Sequence, residues 1–364
     1  MIASNATTAR EYRVTAKVEE SELITSFYLQ PVDAAAIPPF LPGQFLTLDL
    51  DATEQAPLRR TYSISCGPKT KGQYRISVKR EPHGAGSGFL HREVKEGSIL
   101  AVHDPKGHFV LAEASSRPVL LLSGGVGLTP MVSMLHALSE QPSRKVWFIH
   151  ACDNGKVHAF GNEVRSLANR FAHLNTHFCY RAPAEGDTIG RDFDSEGLVN
   201  RALLQRLLPL DDYEVYLCGP TPFMQAMYEL LCNLGVSESS ISYEFFGDGE
   251  PLQRSSIDLP QQAEPPLAIT AADAALGTSK TPLVTFSSSK VTARWDPAYA
   301  SLLEFAEAQG LAPDFSCRSG VCNTCECELS AGELTYSEEP LCEPAAGRVL
   351  ICCSIPTSDI TLNL

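Results

Sequence analysis

The sequence lacks an excess of basic residues. Its 364 residues contain 29 lysines and arginines against 43 aspartates and glutamates, which gives a formal net charge of −14 at pH 7. A nucleic-acid binding surface requires a basic face that can neutralise phosphates. The composition therefore argues against a nucleic-acid partner, whereas an acidic surface suits docking to a basic protein.

The sequence also lacks any long apolar run. A helix that spans a bilayer needs about 20 consecutive apolar residues, and no such stretch occurs. The N-terminal residues, MIASNATTAREYRVTAKVEE, have no basic segment followed by an apolar one, as a secretory signal would have. We therefore expect a cytoplasmic protein with no membrane partner. In that reducing compartment, the twelve cysteines are not expected to form a disulfide framework.

The length and the changes in sequence pattern predict a multidomain protein, because 364 residues exceed one ordinary hydrophobic core. Residues 8–114 contain short β-rich runs between Pro and Gly turns, with one helix at SGFLHREV, which predicts an antiparallel β-barrel. Residues 115–250 alternate apolar strands with helices, which predicts an α/β domain with a doubly wound sheet. Residues 251–281, rich in Pro, Ala, Gln and Ser, are typical of a linker. Residues 282–364 form a further α+β unit.

Seven of the twelve cysteines lie from Cys317 onward. Cys317, Cys322 and Cys325 have the spacing C-x4-C-x2-C, and LICCS follows about thirty residues later, as in plant-type [2Fe–2S] sites. A four-cysteine zinc site usually pairs two C-x2-C knuckles, and this tail has only one, which makes zinc the weaker alternative. The residues alone leave the fourth cluster ligand open between Cys352 and Cys353.

The tail as a whole resembles plant-type ferredoxins. The resemblance covers residues 282–364 and rests on SCRSGVCNTCECELSAGEL followed by VLICCSIPTSDITLNL. It implies a β-grasp ferredoxin fold, and it selects Cys352 as the fourth ligand beside Cys317, Cys322 and Cys325.

Other features of the tail fit the same interpretation. Ser319 and Gly320 would allow the loop backbone to approach the inorganic sulfurs of the cluster. We expect Cys327 and Cys342 to be small buried or half-buried residues without a role as ligands. The tail carries four basic against eleven acidic residues, so half of the excess negative charge lies on the electron carrier.

The segment RRTYSIS, residues 59–65, contains an R-x-Y-S pattern. Its arginine can pair with a flavin phosphate, its tyrosine can lie on the isoalloxazine ring, and its serine can hydrogen-bond near N5. Taken alone, the pattern could equally be a buried strand with an arginine at its end. PGQF, YRISVKR, GSGFLH and DPKGHFVL accompany it. Together these segments resemble the ferredoxin-reductase superfamily, and residues 10–250 are similar to the reductase module of flavohaemoglobins.

This resemblance implies a set of residues that contact the flavin. The set is Phe45, Arg60, Thr61, Tyr62, Ser63, Ser77, Val78, Lys79, Gly86 and Ser87. The segments GSGFLH and PKGHF favour FAD, because Ser87 and the start of its helix can receive a pyrophosphate. FMN is the alternative, since some reductases with this domain order use it. Phe45 departs from the family, which typically has tyrosine there. Since no globin-like segment precedes residue 10, we expect no chemistry at haem.

The segment SGGVGLTPM, residues 123–131, places glycines between a strand and a helix, where backbone N–H groups can meet a dinucleotide pyrophosphate. It is not a full G-x-G-x-x-G, so close helix–sheet packing is the alternative. With YLCGPTPFM and YEFFG further along, it resembles the nicotinamide site of the same superfamily. The implied contacts are Gly124, Gly125, Gly127, Thr129, Pro130, Cys218, Gly219 and Pro220, with Phe246 covering the flavin ring.

The resemblance also implies three catalytic residues, Ser63, Cys218 and Glu244. Cys218 would lie beside the nicotinamide ring, and Glu244 would assist hydride or proton movement. A nucleophilic role for Cys218 is the alternative, but no motif sets a histidine or asparagine beside it. The segment HACDNGKVHAF offers no arginine cluster for a 2′-phosphate, which favours NADH, although YRAP contributes Arg181.

The three modules imply one path for electrons. NADH delivers two electrons as a hydride to the flavin, and the [2Fe–2S] cluster accepts them one at a time. By analogy of domain order, we expect an NADH-dependent reductase that serves a separate terminal oxygenase. A Rieske non-haem iron oxygenase acting on aromatic acids or N-methylated amines is the expected partner. The alternatives are a reductase of the hybrid-cluster protein and a redox-sensing iron–sulfur flavoprotein.

Overall fold

The structure is a computed structural model. It describes residues 9–50, 58–112, 115–246, 252, 281–311, 313, 320, 325–337, 340 and 344–364. The chain divides into two compact units, residues 1–252 and residues 253–364. Most of the predicted linker, residues 251–281, lies outside the described residues.

The first part of the N-terminal unit is an antiparallel barrel. Its elements are β1 (Arg10–Glu19), β2 (Ile24–Pro31), β3 (Phe45–Leu50), β4 (Leu58–Ser63), β5 (Tyr74–Lys79), α1 (Ala85–Arg92) and β6 (Ile99–Val102). The strands pair in the order β4-β3-β6-β1-β2-β5, and a bridge between Ile64 and Ile76 brings the chain after β4 against β5. Alternate side chains, such as those of Leu46, Leu48 and Leu50, are completely buried inside. The predicted β-barrel with a helix at residues 87–94 is confirmed.

The second part of the N-terminal unit is a parallel α/β domain. Its elements are β7 (Val119–Gly124), α2 (Leu128–Ser139), β8 (Val146–Cys152), α3 (Gly161–Arg170), β9 (Leu174–Tyr180), β10 (Ser195–Glu196), α4 (Arg201–Leu207), β11 (Glu214–Cys218), α5 (Thr221–Asn233) and β12 (Ile241–Glu244). The strand order is β10-β9-β8-β7-β11-β12, and every neighbouring pair is parallel.

Helices cover both faces of this sheet, as predicted for a doubly wound domain. Along β7, Val119 and Leu121 belong to one buried cluster and Leu120 and Leu122 to another, so both faces of the strand are apolar. The chain runs outward in one direction from β7 to β10 and then returns to β11 on the other side of β7. In open parallel sheets, ligands bind at the carboxyl ends of the strands where the order reverses. Here that point lies between β7 and β11.

The C-terminal unit is a small mixed sheet packed on one helix. Its elements are β13 (Leu283–Phe286), β14 (Val291–Arg294), α6 (Leu302–Ala308), β15 (Glu326–Ala331), β16 (Leu334–Tyr336), β17 (Arg348–Leu350), β18 (Ser354–Pro356) and β19 (Ile360–Asn363). Five strands have the order β14-β13-β19-β15-β17, and β16 pairs with β18. Ser301 caps α6 by accepting from the Glu304 amide at 3.3 Å, and the Glu304 carboxylate accepts from the Ala300 amide at 2.9 Å. The arrangement agrees with the predicted β-grasp fold.

No helix within the described parts of the chain is both long enough and apolar enough to cross a membrane.

Candidate functional site

Arg60 and Tyr62 lie two residues apart on β4 and face the start of α1. A Cβ atom added to Gly86 would lie 2.7 Å from Cγ of Arg60 and 3.1 Å from Oη of Tyr62. Only glycine therefore allows the first turn of α1 to approach these two side chains. Arg60 is exposed, and burial raises the pKa of Tyr62 to about 12, so the phenol stays neutral at physiological pH. An arginine, a neutral tyrosine and a helix start without a side-chain cap fit a flavin and its phosphates.

Several predicted flavin residues use their side chains within the barrel. Ser77 lies in a buried hydroxyl chain, with its Oγ 2.7 Å from that of Ser65 and 2.8 Å from that of Ser26. Val78 is 1% exposed in the barrel core, and Lys79 pairs with Glu81 at 2.7 Å. Any contact of Val78 with a flavin is therefore limited to its backbone.

The remaining predicted flavin residues differ in exposure. Ser63 is buried at the end of β4, whereas Thr61 is exposed. The Ser87 hydroxyl accepts from the Glu81 amide at 3.2 Å, which fixes the loop before α1. Phe45 is buried against Gly107, where an added Cβ would lie 2.9 Å from the phenylalanine ring. The aromatic surface expected at Phe45 is therefore packed against the backbone.

The glycine turn after β7 lies at the point where the strand order reverses. An added Cβ on Gly127 would lie 2.2 Å from the carbonyl oxygen of Cys218 and 2.6 Å from the amide nitrogen of Gly219. One on Gly124 would lie 2.9 Å from the Phe223 ring. Gly125 has a positive φ of 52°, and nothing lies within 4 Å of its added Cβ. The two loops therefore meet backbone to backbone and leave an open edge at Gly125, which fits a dinucleotide.

Two predicted side chains of this turn serve local structure. The Thr129 hydroxyl donates to the Val126 carbonyl at 3.1 Å, and Pro130 is buried in the first turn of α2. Pro220 is exposed and precedes α5. α2 has no side-chain cap at its start. The first amide of α2, that of Leu128, donates to the Gly125 and Val126 carbonyls.

Cys218 and Glu244 are paired in register at the ends of β11 and β12. Burial, and then the charge of Glu244, raises the pKa of the fully buried Cys218 thiol well above its usual value. A thiol in that state is a poor nucleophile, which disfavours the nucleophilic alternative. Burial raises the pKa of Glu244 to about 8, and its Oε2 atom has no hydrogen-bond partner among the described residues. Glu244 is therefore a half-buried residue whose Oε2 atom is shielded from solvent, and its carboxyl is neutral at neutral pH. Phe246, two residues on, is 43% exposed.

A buried histidine, His150, and a half-buried one, His158, lie next to this edge, and the sequence did not single them out. Nδ1 of His150 is 2.9 Å from Oγ of Ser123, and the His150 ring stacks on His158 at 5.1 Å. Nδ1 of His158 is 2.8 Å from Oη of Tyr180. Burial lowers the pKa of His150 well below its usual value and that of His158 to about 4. Both rings are therefore neutral and stiffen the ends of β7, β8 and β9.

Arg181 is not available as an isolated cation. Its Nε donates to Asp153 at 2.8 Å, and both side chains are more than half exposed. Asp153 directly follows β8, the strand whose end contacts the ribose of a dinucleotide in doubly wound folds.

Two of the four predicted cluster ligands, Cys317 and Cys322, lie outside the described residues, as do Ser319 and Cys342. Cys325 and Cys352 are 4% and 6% exposed.

The described residues distinguish Cys352 from Cys353. The Gly320 amide donates to Sγ of Cys352 at 3.3 Å, whereas Sγ of Cys353 points back to the Leu350 carbonyl at 3.7 Å. A Cβ on Gly320, whose φ is 67°, would lie 2.8 Å from Sγ of Cys353. Cys327 is 7% exposed on β15. The loop amide directed at Cys352 fits a thiolate ligand at that position.

Three family models match the chain. The oxidoreductase FAD-binding domain matches residues 11–111, and the oxidoreductase NAD-binding domain matches residues 121–229. The 2Fe-2S iron-sulfur cluster binding domain matches residues 284–357. These matches confirm the predicted cofactors, with FAD as the flavin.

Curated relatives match the N-terminal unit. The flavohemoprotein of Bacillus thuringiensis subsp. konkukian (strain 97-27) is 45% identical over 251 residues, which is 67% of this chain and 62% of the flavohemoprotein. That of Chromobacterium violaceum is 44% identical over 246 residues, 65% of this chain and 60% of the flavohemoprotein. The chain therefore spans less than two thirds of the length of these relatives.

Solved structures extend the comparison. Phthalate dioxygenase reductase, a modular structure for electron transfer from pyridine nucleotides to [2Fe–2S], covers 97% of this chain and 97% of its own, with a TM-score of 0.56 and 23% identity. This likeness establishes the shared fold. The flavohem-like FAD/NAD-binding domain of nitric oxide dioxygenase from Vibrio cholerae O1 biovar El Tor is 35% identical, with a TM-score of 0.58, and covers 66% of this chain and 99% of its own. The chain belongs to the ferredoxin-reductase superfamily, with a flavohaemoglobin-type FAD- and NAD-binding module joined to a C-terminal [2Fe–2S] domain.

Proposed function

We propose that this protein is an NADH-dependent reductase that passes electrons through FAD and a [2Fe–2S] cluster to a separate terminal oxygenase. The observation that carries the proposal is the presence of FAD-binding, NAD-binding and [2Fe–2S] domains in one chain. A hydride donor gives two electrons at once, and a cluster accepts one. A flavin, when bound between them, supplies the conversion between the two.

In this proposal the barrel holds FAD through side chains of β4. Arg60 would pair with the phosphates, Tyr62 would cover one face of the isoalloxazine ring, and buried Ser63 would donate a hydrogen bond near N5. The uncapped first turn of α1, brought close by Gly86, would add backbone amides to the phosphate site.

The α/β domain would hold the nicotinamide dinucleotide at its carboxyl edge. The turn from Gly124 to Gly127 would receive the pyrophosphate, and Cys218 and Gly219 would form the surface beside the nicotinamide ring. Glu244, neutral and without a partner among the described residues, would hold a proton next to that ring.

NADH is proposed over NADPH because of the pair formed by Asp153 and Arg181. The Asp153 carboxylate follows β8 and holds the Arg181 guanidinium at 2.8 Å. A carboxylate at this position accepts hydrogen bonds from ribose hydroxyls and repels a 2′-phosphate.

The cluster would be held by Cys317, Cys322, Cys325 and Cys352. The choice of Cys352 is supported by the Gly320 amide, which is directed at its sulfur. Because the tail carries a large excess of acidic residues, a partner with a basic docking face would be attracted to it.

The partner class we propose is a Rieske non-haem iron oxygenase, with an aromatic acid or an N-methylated amine as substrate. The support is the whole-chain fold likeness to phthalate dioxygenase reductase. Relatives of the N-terminal unit are flavohemoproteins, so the oxygenase partner is the direct subject of the test.

The test is NADH-driven product formation with purified Rieske oxygenases of both substrate classes. We expect turnover that requires all three components and that falls to background with a Cys352→Ala reductase. A Cys353→Ala reductase is the matched control and should support turnover. If NADH rapidly reduces cytochrome c through this protein but no Rieske oxygenase turns over, the protein is a reductase and the proposed partner class is rejected. If neither cytochrome c reduction nor oxygenase turnover occurs, the reductase function is rejected in favour of a redox sensor.

A further inference from the structure

A partly buried cluster of charged and polar side chains joins the barrel to the α/β domain within the N-terminal unit. Arg75 on β5 donates two hydrogen bonds to the Glu163 carboxylate on α3, at 2.8 and 2.9 Å. Nε2 of His136 on α2 is 2.6 Å from the same carboxylate. The side chain of Arg75 is 8% exposed, and that of Glu163 is 27% exposed. We call Arg75, Glu163 and His136 the interdomain clamp.

The charge of the Glu163 carboxylate is firmly held. Burial alone would raise the pKa of Glu163, but the hydrogen bonds from His136 and Arg75 outweigh it and lower the pKa to about 2. The Arg75 guanidinium also lies 4.6 Å above the Phe160 ring, and Phe160 holds a positive φ of 59° directly before α3. A bidentate arginine–carboxylate pair in a largely buried setting fixes orientation as well as distance.

On the barrel side, the clamp connects to the strands that carry the proposed flavin residues. Arg75 donates to the Ser65 carbonyl, and its Nε donates to Oγ of Ser65 at 3.3 Å. Oγ of Ser65 is in turn 2.7 Å from Oγ of Ser77. Ser65 lies two residues after Ser63, the last residue of β4, and Ser77 lies on β5. The clamp is therefore anchored next to both strands that carry proposed flavin residues.

On the α/β side, the clamp connects to the helix that begins at the dinucleotide turn. α2 starts directly after Gly127 and carries His136 near its other end. A twelve-residue helix is a rigid rod of about 18 Å. A Cβ on Gly67, in the barrel loop after β4, would lie 2.8 Å from Cβ of His136, so the barrel meets α2 at this residue. A shift at His136 is therefore transmitted to the dinucleotide turn.

The clamp is a localised contact. A cavity of about 590 Å³ lies beside it, between barrel residues such as Phe40 and Lys69 and α/β residues such as Arg170 and Phe171. Elsewhere, the chain segment that joins the domains is fixed by Arg144, which donates to the Ala112 and Arg117 carbonyls at 3.0 Å. Other contacts join the same two domains, such as the Glu22 amide, which donates to the Lys156 carbonyl at 2.9 Å, and the clamp adds the bidentate pair to them.

We propose that the interdomain clamp is a positioning device for hydride transfer. It sets the distance and angle between the flavin on β4 and a nicotinamide held beside Cys218 and Gly219 by the dinucleotide turn, without touching either. This inference rests on the proposed function, since it assumes a hydride moving from the dihydronicotinamide to the flavin and leaving NAD⁺. A hydride moves over a short distance, and misplacement by about 1 Å can cost about 100-fold in rate.

The test compares Glu163→Gln with wild type in the full-length holoprotein. Under anaerobic conditions, we expect the rate of flavin reduction at saturating NADH to fall about 10-fold or more. FAD content and the NADH concentration for half-maximal rate should change less than about 2-fold, because the cofactor contacts are intact. The charge-transfer absorbance formed when NAD⁺ binds the reduced flavoprotein should weaken, which a merely structural role would not cause.

The matched control is Glu140→Gln. It removes the exposed ion pair of Glu140 with Lys69, which joins the same two domains. We expect wild-type rates and absorbance, because exposed pairs contribute little. If Glu163→Gln fails to fold, His136→Asn is the second variant, because it removes the hydrogen bond from His136 to Glu163. It should give a smaller loss of flavin-reduction rate and of charge-transfer absorbance.

The outcomes separate this inference from the proposed function. A Glu163→Gln holoprotein with wild-type rate and absorbance would overturn the clamp and leave the reductase intact. A folded His136→Asn holoprotein with an unchanged rate of flavin reduction and unchanged charge-transfer absorbance would also overturn the clamp. A wild-type holoprotein whose flavin NADH does not reduce would overturn the proposed function, and the clamp with it.

Discussion

The barrel and the α/β domain prepare their sites in different ways. On β4 the groups that we propose to contact FAD are side chains, those of Arg60 and Tyr62, and the glycine at position 86 makes room for them. At the end of β7 the surface is backbone, and side chains such as Thr129 are used for local hydrogen bonds. The barrel site therefore depends on which side chains are present, whereas the dinucleotide site depends on how closely two loops approach.

The [2Fe–2S] domain belongs with the barrel in this comparison, because thiolates are its ligands. The comparison predicts that mutations in the two kinds of site have different consequences. Loss of a ligand side chain should remove one cofactor and leave the fold, and crowding of the dinucleotide loops should damage both binding and packing.

The largest effect is expected from Cys352→Ala, which should abolish the cluster, because a [2Fe–2S] centre needs four ligands. Iron content and visible absorbance of the purified holoprotein measure it. Cys353→Ala is the matched control and should keep a full cluster, since its sulfur points to the Leu350 carbonyl. A cluster that survives in Cys352→Ala and is lost in Cys353→Ala would reverse the ligand assignment.

The next largest effect is expected from Gly127→Ala. The new Cβ would lie 2.2 Å from the Cys218 carbonyl oxygen, and backbone on both sides prevents relief. We expect a stability loss of about 1–3 kcal/mol in thermal or denaturant unfolding. Misplacement of the nicotinamide should slow flavin reduction by NADH by about 100-fold.

Gly235→Ala, in the loop after α5 of the same domain, is the control for that variant. Its Cβ meets open space, so only the positive φ is strained, at about 1–2 kcal/mol. Equal rates of flavin reduction in Gly127→Ala and wild type would show that the loop approach does not shape the site.

Arg60→Ala should weaken FAD binding while leaving the fold intact. A charge-assisted hydrogen bond contributes about 1.5–3 kcal/mol, which corresponds to about 10- to 100-fold in affinity. Titration of the deflavinated protein with FAD measures this loss. Arg13→Ala removes an exposed arginine from β1 of the same barrel and should bind FAD normally. Equal FAD affinity in the two variants would contradict a side-chain-built flavin site.

The last prediction, for Glu244→Gln, concerns the pH dependence of stability. The folded pKa of Glu244 is raised to about 8, so its stability contribution is complete at acidic pH and is lost as pH rises toward 8. Relative to Glu244→Gln, wild type should lose at most about 1.4 kcal/mol per pH unit over that interval. Unfolding of both cofactor-free proteins from pH 5 to 8 measures the difference. Glu196→Gln, an exposed carboxylate on β10, controls for loss of one charge, and parallel curves for wild type and Glu244→Gln would contradict a neutral carboxyl at Glu244.

Local patterns in the sequence predicted most of the fold. Strands β7 and β8 read as apolar runs because both of their faces are buried, and α1 follows its Gly-rich turn as expected. The glycine turn at Gly124–Gly127 was predicted as a dinucleotide site from its glycines between a strand and a helix and from the resemblance of SGGVGLTPM to the superfamily's nicotinamide motif. What the sequence did not reveal was which of the predicted side chains are used internally, such as Ser77 and Val78.

The interdomain clamp could not be predicted because its members are far apart in sequence. Arg75 and Glu163 are 88 positions apart, and only the packing of the two domains brings them together. A signal was present in YRISVKR, since an arginine inside an otherwise buried strand must find a partner. The identity of that partner required the structure. The same holds for His150 and His158, whose ring stacking depends on a loop between β8 and α3.

The central claim is that electrons move from NADH to FAD and then to the [2Fe–2S] cluster. Anaerobic stopped-flow mixing of the holoprotein with one equivalent of NADH, followed at separate flavin and cluster wavelengths, tests it most directly. The account predicts loss of flavin absorbance first and loss of cluster absorbance second, and in Cys352→Ala only the first. Cluster reduction that precedes or bypasses the flavin, or no reduction of either, would contradict it.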